Sequence, residues 1–235
     1  MTKQVVIITI LVVGILAGVL IYRAMSPGGR RTNHVWEFFA DPAGHEEWKL
    51  TAGTRCGEAP FLFPTTGMVG FLWDDSFRIG HHHQGIDIFS GTEAGVTPVI
   101  AAYDGYLTRL ADWKSSVILR VPNDPLQPGR QIWLYYTHMA DRDGVSYIAG
   151  DFPPGTSEVP VPAGTLLGYQ GDYSGDPDNP TGIHLHFSIV RDDGHGKFLN
   201  ELEINNTYDP SPWLGLELNG KNSNGEVPFC QPEVP

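Results

Sequence analysis

Cysteine is scarce in this chain: Cys56 and Cys230 are the only two among 235 residues. Two thiols so far apart in sequence do not make a zinc site of their own. Basic residues are few as well. Lys and Arg number 15 against 27 Asp and Glu, a formal net charge of -12. That balance argues against a nucleic-acid binder, which needs a basic footprint. It equally argues against simple electrostatic adsorption to anionic wall polymers or lipid headgroups. Long helical periodicity is missing outside the N-terminus, and no internal repeat is visible. Glycine and proline, in contrast, are plentiful at 28 and 19. Together these features favour a β-rich domain with many turns, and the length suffices for one sizeable core plus appendages.

The N-terminus is the exception to the turn-rich pattern. Val5 to Tyr22 is an apolar run of about 18 residues without a charge, near the minimum that spans a bilayer as a helix. No convincing small-x-small cleavage site follows it, so an uncleaved anchor is expected rather than a signal peptide. Lys3 lies before the run and Arg23, Arg30 and Arg31 after it. Taken alone, the positive-inside rule leans slightly towards a cytoplasmic C-terminal domain. Ser26-Pro27-Gly28-Gly29-Arg30-Arg31 reads as a flexible exit from the membrane. Residues 34–55 carry Trp36, Phe38, Phe39 and Trp48 among acidic residues. They are expected to pack as a short amphipathic element on the following domain; the alternative is that they cover its groove as an inhibitory segment.

Beyond residue 60, short apolar runs are punctuated by turns. Ile88–Phe89, Val99–Ala102, Gly105–Leu110, Val117–Val121 and Ile132–Thr137 read as successive strands. Pro122–Arg130 is a Pro/Gly/Asn-rich loop, residues 140–162 are turn-rich, and Asp172–Pro180 is an acidic loop. Two stretches carry the chemistry. The first is His81-His82-His83-Gln84-Gly85-Ile86-Asp87-Ile88-Phe89 and the second Gly182-Ile183-His184-Leu185-His186-Phe187. In a strand, residues two apart share a face, so His184 and His186 look one way while Leu185 enters the core. Imidazole nitrogen and carboxylate oxygen are ligands that zinc accepts. His83 and Asp87 would stand roughly 13 Å apart on a straight strand, too far for one ion. The chain must therefore bend between them, and Gly85 permits it.

The spacing His83-x-Gly85-x-Asp87 with a distant His184-Leu185-His186-Phe187 resembles the lysostaphin-type zinc metallopeptidases (metallopeptidase family 23), which cut peptidoglycan cross-bridges. Further pieces match in order. Pro98-Val99-Ile100-Ala101-Ala102 with Asp104-Gly105-Tyr106-Leu107 resembles the family's hairpin. Tyr136-Thr137-His138-Met139 resembles one of its strands, Ala163–Gly168 with Gly171 its glycine turn, and Asp209-Pro210 its closing segment. The resemblance covers roughly residues 60–214.

It implies a mainly β fold, a two-layer and mostly antiparallel sheet, here preceded by an N-terminal transmembrane helix. The expected organisation is an anchor over 1–25, a linker with a packing or inhibitory segment over 26–59, a zinc metallopeptidase domain over 60–214 and a tail over 215–235. By motif position His83, Asp87 and His186 are the implied zinc ligands. His138 and His184 occupy the family's two non-ligand histidine positions, where they serve as base, acid or oxyanion stabiliser; sequence does not say which does which. His82 points to the opposite face from His83, while His81 shares its face and is a candidate groove residue. Arg78 stands where the family often has a basic residue and is a candidate for binding a substrate carboxylate. Some relatives have a tyrosine six residues before the first ligand; here it is Phe77.

Cys56 and Cys230 flank the matched stretch, and a disulfide between them is expected over two buried thiols. The implied peptidoglycan substrate and the disulfide place the domain outside the cytoplasm, against the weak charge bias. The expected protein is thus a single-pass, membrane-anchored zinc hydrolase of peptidoglycan. The alternative is a non-catalytic wall-binding protein or an activator of a separate wall hydrolase. Relatives of that kind usually lose ligands, whereas this chain keeps all five histidine and aspartate positions.

Overall fold

The structure is a computed structural model and describes residues 26–75 and 80–230, together with Thr9, Val13, Gly14 and Gly18. The expected anchor over Val5–Tyr22 therefore lies almost wholly outside the described residues, and Arg78 and Phe77 lie outside them too. No helix of the described residues is long and apolar enough to cross a membrane.

Helix α1 (Pro27–Ala40) opens the described chain. This corrects the flexible exit expected at Ser26–Arg31. Ser26 caps the helix by accepting a hydrogen bond from the Gly29 amide at 3.2 Å, and Pro27 occupies the first turn. Both residues start helices for physical reasons: the hydroxyl satisfies a free amide, and proline's fixed φ suits the first turn. The two glycines that follow weaken the helix, but burial of Val35 and Phe38 against Met68 and Phe89 holds it. Of residues 34–55, Val35, Phe38 and Trp48 pack against the domain, while Trp36 is exposed.

The strands are β1 (Lys49–Leu50), β2 (Gly67–Phe71), β3 (Ile86–Phe89), β4 (Pro98–Ile100), β5 (Gly105–Thr108), β6 (Val117–Val121), β7 (Ile132–Thr137), β8 (Val159–Val161), β9 (Leu166–Tyr169), β10 (Leu185–Arg191) and β11 (Thr207–Tyr208). A short helix α2 (Ser211–Leu214) follows. The main sheet runs β1-β2-β3-β10-β7-β6-β5-β8, with β11 also paired to β10, and β4 with β9 forms a second small sheet. Every pairing between these strands is antiparallel. Strands β6 and β7 occupy the spans the β-branched and aromatic runs predict. β2 and β8 lie where sequence periodicity was too weak to place a strand.

The central strands are buried on both faces, because alternate side chains enter different clusters. Val117, Leu119, Leu134, Tyr136, Phe187 and Ile189 join the main core, while Ile118, Trp133, Tyr135 and Val190 join a smaller one on the other face. The sheet is not confined to 60–214: β1 precedes it, and Leu216 and Leu218 after it are buried in the main core. Cys56 and Cys230 form a disulfide across a sequence separation of 174, with Cα atoms 5.1 Å apart.

Candidate metal centre and cleft

Three neighbouring strands, β3, β10 and β7, bring the histidine motifs together. Antiparallel register sets Asp87 of β3 opposite His186 of β10, and His186 opposite Thr137 of β7. His83 lies three residues before β3, His184 immediately precedes β10, and His138 immediately follows β7. All five polar residues therefore collect at one end of three adjacent strands. Leu185 turns the other way and is fully buried in the main core, as alternation predicts.

The chain does bend at Gly85. Glycine is required there by close approach. A Cβ on Gly85 would stand 2.2 Å from the Phe187 carbonyl oxygen and 2.9 Å from His186 Nε2. Gly171 is constrained in the same way, since its Cβ would meet the Ala140 oxygen at 2.0 Å. That contact lets Gly171 bridge to His184 and seat it beside His138.

The donor atoms of His83, Asp87 and His186 converge. His83 Nε2 lies 3.1 Å from Asp87 Oδ1 and 3.0 Å from His186 Nδ1, and His186 Nδ1 lies 2.9 Å from Asp87 Oδ1. A tetrahedral zinc with bonds of about 2.0–2.1 Å separates its ligand atoms by roughly 3.3 Å, so the triangle has the right size for one small ion. The proton inventory points the same way. His83 Nδ1 donates to the Leu72 carbonyl at 2.9 Å. With that nitrogen protonated, a neutral His83 presents a bare lone pair at Nε2 to a carboxylate. A cation between them satisfies both acceptors. These three residues form a group that can hold a metal ion.

Burial and charge shift the protonation of these groups in different directions. Burial disfavours the Asp87 carboxylate, but the charges of His83 and His184 outweigh it and hold its pKa well below the usual range. Burial pushes His83 down, yet the Asp87 carboxylate overcomes this and raises it. His186 is lowered, chiefly by burial.

His184 and His138 stand beside the triangle with their own tautomers fixed. His184 Nδ1 donates to the Gly182 carbonyl and His138 Nδ1 to the Tyr173 carbonyl, each at 2.6 Å. Both rings thus leave Nε2 available, and that of His184 lies 3.4 Å from Asp87 Oδ1. The two rings are 4.5 Å apart between centroids. Burial, with the nearby His184 and His186, pushes the pKa of His138 down to about 3, so it is a neutral base near pH 7. His138 adopts a φ of 72°, a left-handed conformation that costs a residue with a Cβ energy.

These groups line a cleft of about 310 Å³ together with Gln84, Tyr135, Thr137, Thr181, Glu201 and Leu202. None of the residues lining it comes from 26–59. His81 is half-buried and is not among the lining residues. His82 turns away, its Nδ1 2.5 Å from Asp74 Oδ1. The carbonyls of Leu72, Gly182 and Tyr173 that orient the rings escaped sequence reasoning, because a backbone carbonyl carries no residue signature. Tyr135 was accessible to it, two positions before Thr137 on one strand.

A β-sheet site of two imidazoles and one carboxylate, flanked by two further imidazoles, is the arrangement that the motif resemblance implies. No family model and no curated protein matches the chain. Among solved structures it is similar to the catalytic domain of the antimicrobial peptidase lysostaphin from Staphylococcus simulans, at 21% identity and a TM-score of 0.40, over 62% of this chain and 88% of that one. It is also similar to a putative glycyl-glycine endopeptidase from Ruminococcus gnavus, at 22% identity and a TM-score of 0.38, over 66% of this chain and 59% of that one. A chain of the SpoIIIAH–SpoIIQ complex matches at 14% identity and a TM-score of 0.37, over 66% of this chain and 97% of that one.

Proposed function

We propose that this protein is a zinc-dependent endopeptidase of peptidoglycan, held at the membrane by Val5–Tyr22 with its catalytic domain outside the cytoplasm. The observation that carries the reading is the convergence of His83 Nε2, Asp87 Oδ1 and His186 Nδ1 within 3.1 Å of one another, next to two histidines whose Nε2 atoms are left available. His83, Asp87 and His186 would hold the zinc. When bound there, zinc supplies Lewis acidity, polarising a peptide carbonyl and acidifying a water.

The remaining steps belong to the chain's own side chains. His184 and His138 are tied at Nδ1, so each handles protons only at Nε2, on the cleft side. One takes the proton from the attacking water, and a histidine then returns it to the leaving amine. While protonated, either stabilises negative charge developing on the carbonyl oxygen. The low pKa of His138 keeps it unprotonated at rest. The apolar strand floor under the rings limits solvent and strengthens these interactions.

The disulfide supports an oxidising compartment, and the net charge of -12 favours local action from a tether over diffusive adsorption to an anionic wall. The test uses full-length protein in detergent, incubated with purified sacculi of different cross-link chemistry and analysed by mass spectrometry of the released fragments. Release of new amines that stops with a zinc chelator and returns with added zinc supports the reading. A folded, zinc-loaded protein that releases none yet stimulates a separate wall hydrolase overturns it in favour of an activator.

A further inference from the structure

The ligand His83 is held by a loop that is itself held by the juxtamembrane helix. Leu72 to Asp75 runs from the end of β2 towards the histidine motif. Three hydrogen bonds fasten His83 to this loop. Its amide donates to the Asp75 carbonyl at 2.9 Å, its carbonyl accepts from the Asp74 amide at 2.7 Å, and its Nδ1 donates to the Leu72 carbonyl at 2.9 Å. Asp75 closes the loop from within. Its amide donates to the Leu72 carbonyl at 3.1 Å, and its Oδ2 accepts from the Leu72 amide at 3.2 Å. The carbonyl that orients the His83 ring is thus part of a turn closed by the Asp75 carboxylate.

Among the described residues that carboxylate has one cationic partner, and it comes from α1. Arg31 places Nε 2.7 Å from Asp75 Oδ2 and directs Nη2 at Oδ1, a two-point fork. Both residues are buried, their side chains 3% and 9% exposed. A buried ion pair adds little net stability over apolar replacements, and its better-attested use is to select one geometry. Here the geometry selected is that of the loop carrying a ligand's hydrogen-bond partner. Removing Arg31 would leave a buried carboxylate without its cation, which favours opening the loop to water and releasing the Leu72 carbonyl from its place.

We infer that Arg31 is a positioning residue for the metal centre: through Asp75 and the Leu72 carbonyl, α1 sets the orientation of His83 and so the affinity of the site for zinc. The inference rests on the zinc-site reading above. It makes the stretch that leaves the membrane a working part of the catalytic unit, beyond its role as packing. The chain of contacts runs over Arg31, Asp75, Leu72 and His83, and each link is a direct hydrogen bond.

The test measures zinc affinity of the full-length protein in detergent by competition with a chromophoric chelator, alongside the visible spectrum after cobalt substitution. Arg31→Met is expected to weaken zinc binding about 10–100-fold, the range found when partners of a ligating histidine are lost, and to change the cobalt spectrum. Arg31→Lys keeps the charge without the fork and is expected to lose an intermediate amount, which decides the matter should Arg31→Met fail to fold. Val35→Ala weakens the same helix through its apolar face, so it should lower the melting temperature yet leave affinity and spectrum as in the wild type. Arginine variants that are folded and bind zinc as tightly as the wild type overturn the inference alone. So does a Val35→Ala protein that loses as much affinity as Arg31→Met. A wild type that takes up no zinc overturns the proposed function and this inference with it.

Discussion

The cleft end of β3, β7 and β10 and the layer made by α1 and the C-terminal segment are both built around buried polar groups, but they satisfy them differently. In the covering layer charge meets charge: Arg31 forks onto Asp75, and Cys56 is joined covalently to Cys230. At the cleft a single carboxylate, Asp87, lies within 3.4 Å of the nitrogens of three imidazoles, His83, His184 and His186. In the covering layer the Arg31 fork is met by Asp75, while Arg31 Nη1 and His34 Nδ1 are buried without a hydrogen-bond partner. The cleft gathers donor atoms of His83, Asp87 and His186 into a group that can hold a metal ion. Buried polar groups without matched partners cost free energy, and folds keep such local conflicts where a function uses them. Damage to the covering layer should therefore appear as lost stability, and damage at the cleft as lost metal or lost chemistry. Arg31 is the point where the two regions meet.

The largest expected effect is at the cleft. His186→Ala should leave a folded protein with no bound zinc and no detectable hydrolysis, by metal analysis and fragment release. Zinc retained at wild-type stoichiometry would break the distinction. His184→Ala and His138→Ala should keep zinc and lose about 10²–10⁴-fold in rate, the usual contribution of a positioned acid or base. If either loses as much zinc as His186→Ala, it belongs among the ligands.

In the covering layer, replacing Cys56 and Cys230 together by serine opens a closure across 174 residues. The cost should be about 2–5 kcal/mol in chemical denaturation, with zinc affinity unchanged within about twofold. A variant that loses zinc as readily as it loses stability would mean that the two regions are not separable.

A smaller effect sharpens the contrast through pH. The pKa of His138 falls from 6.5 unfolded to about 3 folded. Between those values the unfolded chain binds a proton that the folded one does not, so this group makes the protein less stable as pH drops below about 6.5. One proton is worth at most about 1.4 kcal/mol per pH unit. His83, whose pKa is raised, acts in the opposite sense. The informative measurement is therefore the difference between wild type and His138→Gln in metal-free protein: the variant should show the shallower loss between pH 6.5 and 4. Equal slopes would mean that His138 is not buried neutral. The smallest effect is Ser26→Ala, expected to cost about 1 kcal/mol through loss of the α1 cap and to leave zinc binding as it was; thermal melts with and without zinc would show it.

Much of the sheet was legible in the sequence because its strands carry their own signal. Ile132–Thr137 and Val117–Val121 are dense in β-branched and aromatic residues, and both strands fall on those limits. The alternation in His184-Leu185-His186 likewise foretold which side chains share a face. Gly85 was recognised as special for its bend, while its tightest constraint is the Phe187 carbonyl across the strand pair, which no local pattern contains. At Ser26–Arg31 composition misled, since a Ser-Pro start and two glycines also describe a linker. The buried face of Val35 and Phe38 and the pairing of Arg31 with Asp75, 44 residues away, made it a helix.

By itself the sequence determined the chemical inventory: which residue types are present, how they are spaced along strands, and that two histidine-bearing stretches a hundred residues apart share one motif pattern. Those are local properties, carried by side-chain chemistry and the two-residue period of a strand. Only the tertiary structure decided that Asp87 and His186 stand in register, that the carbonyls of Leu72, Gly182 and Tyr173 choose the tautomers, and that Arg31 reaches the loop that holds His83. Register, backbone acceptors and buried ion pairs are set by contacts between distant segments. Their energies come from desolvation and close approach, which exist only once the chain has packed.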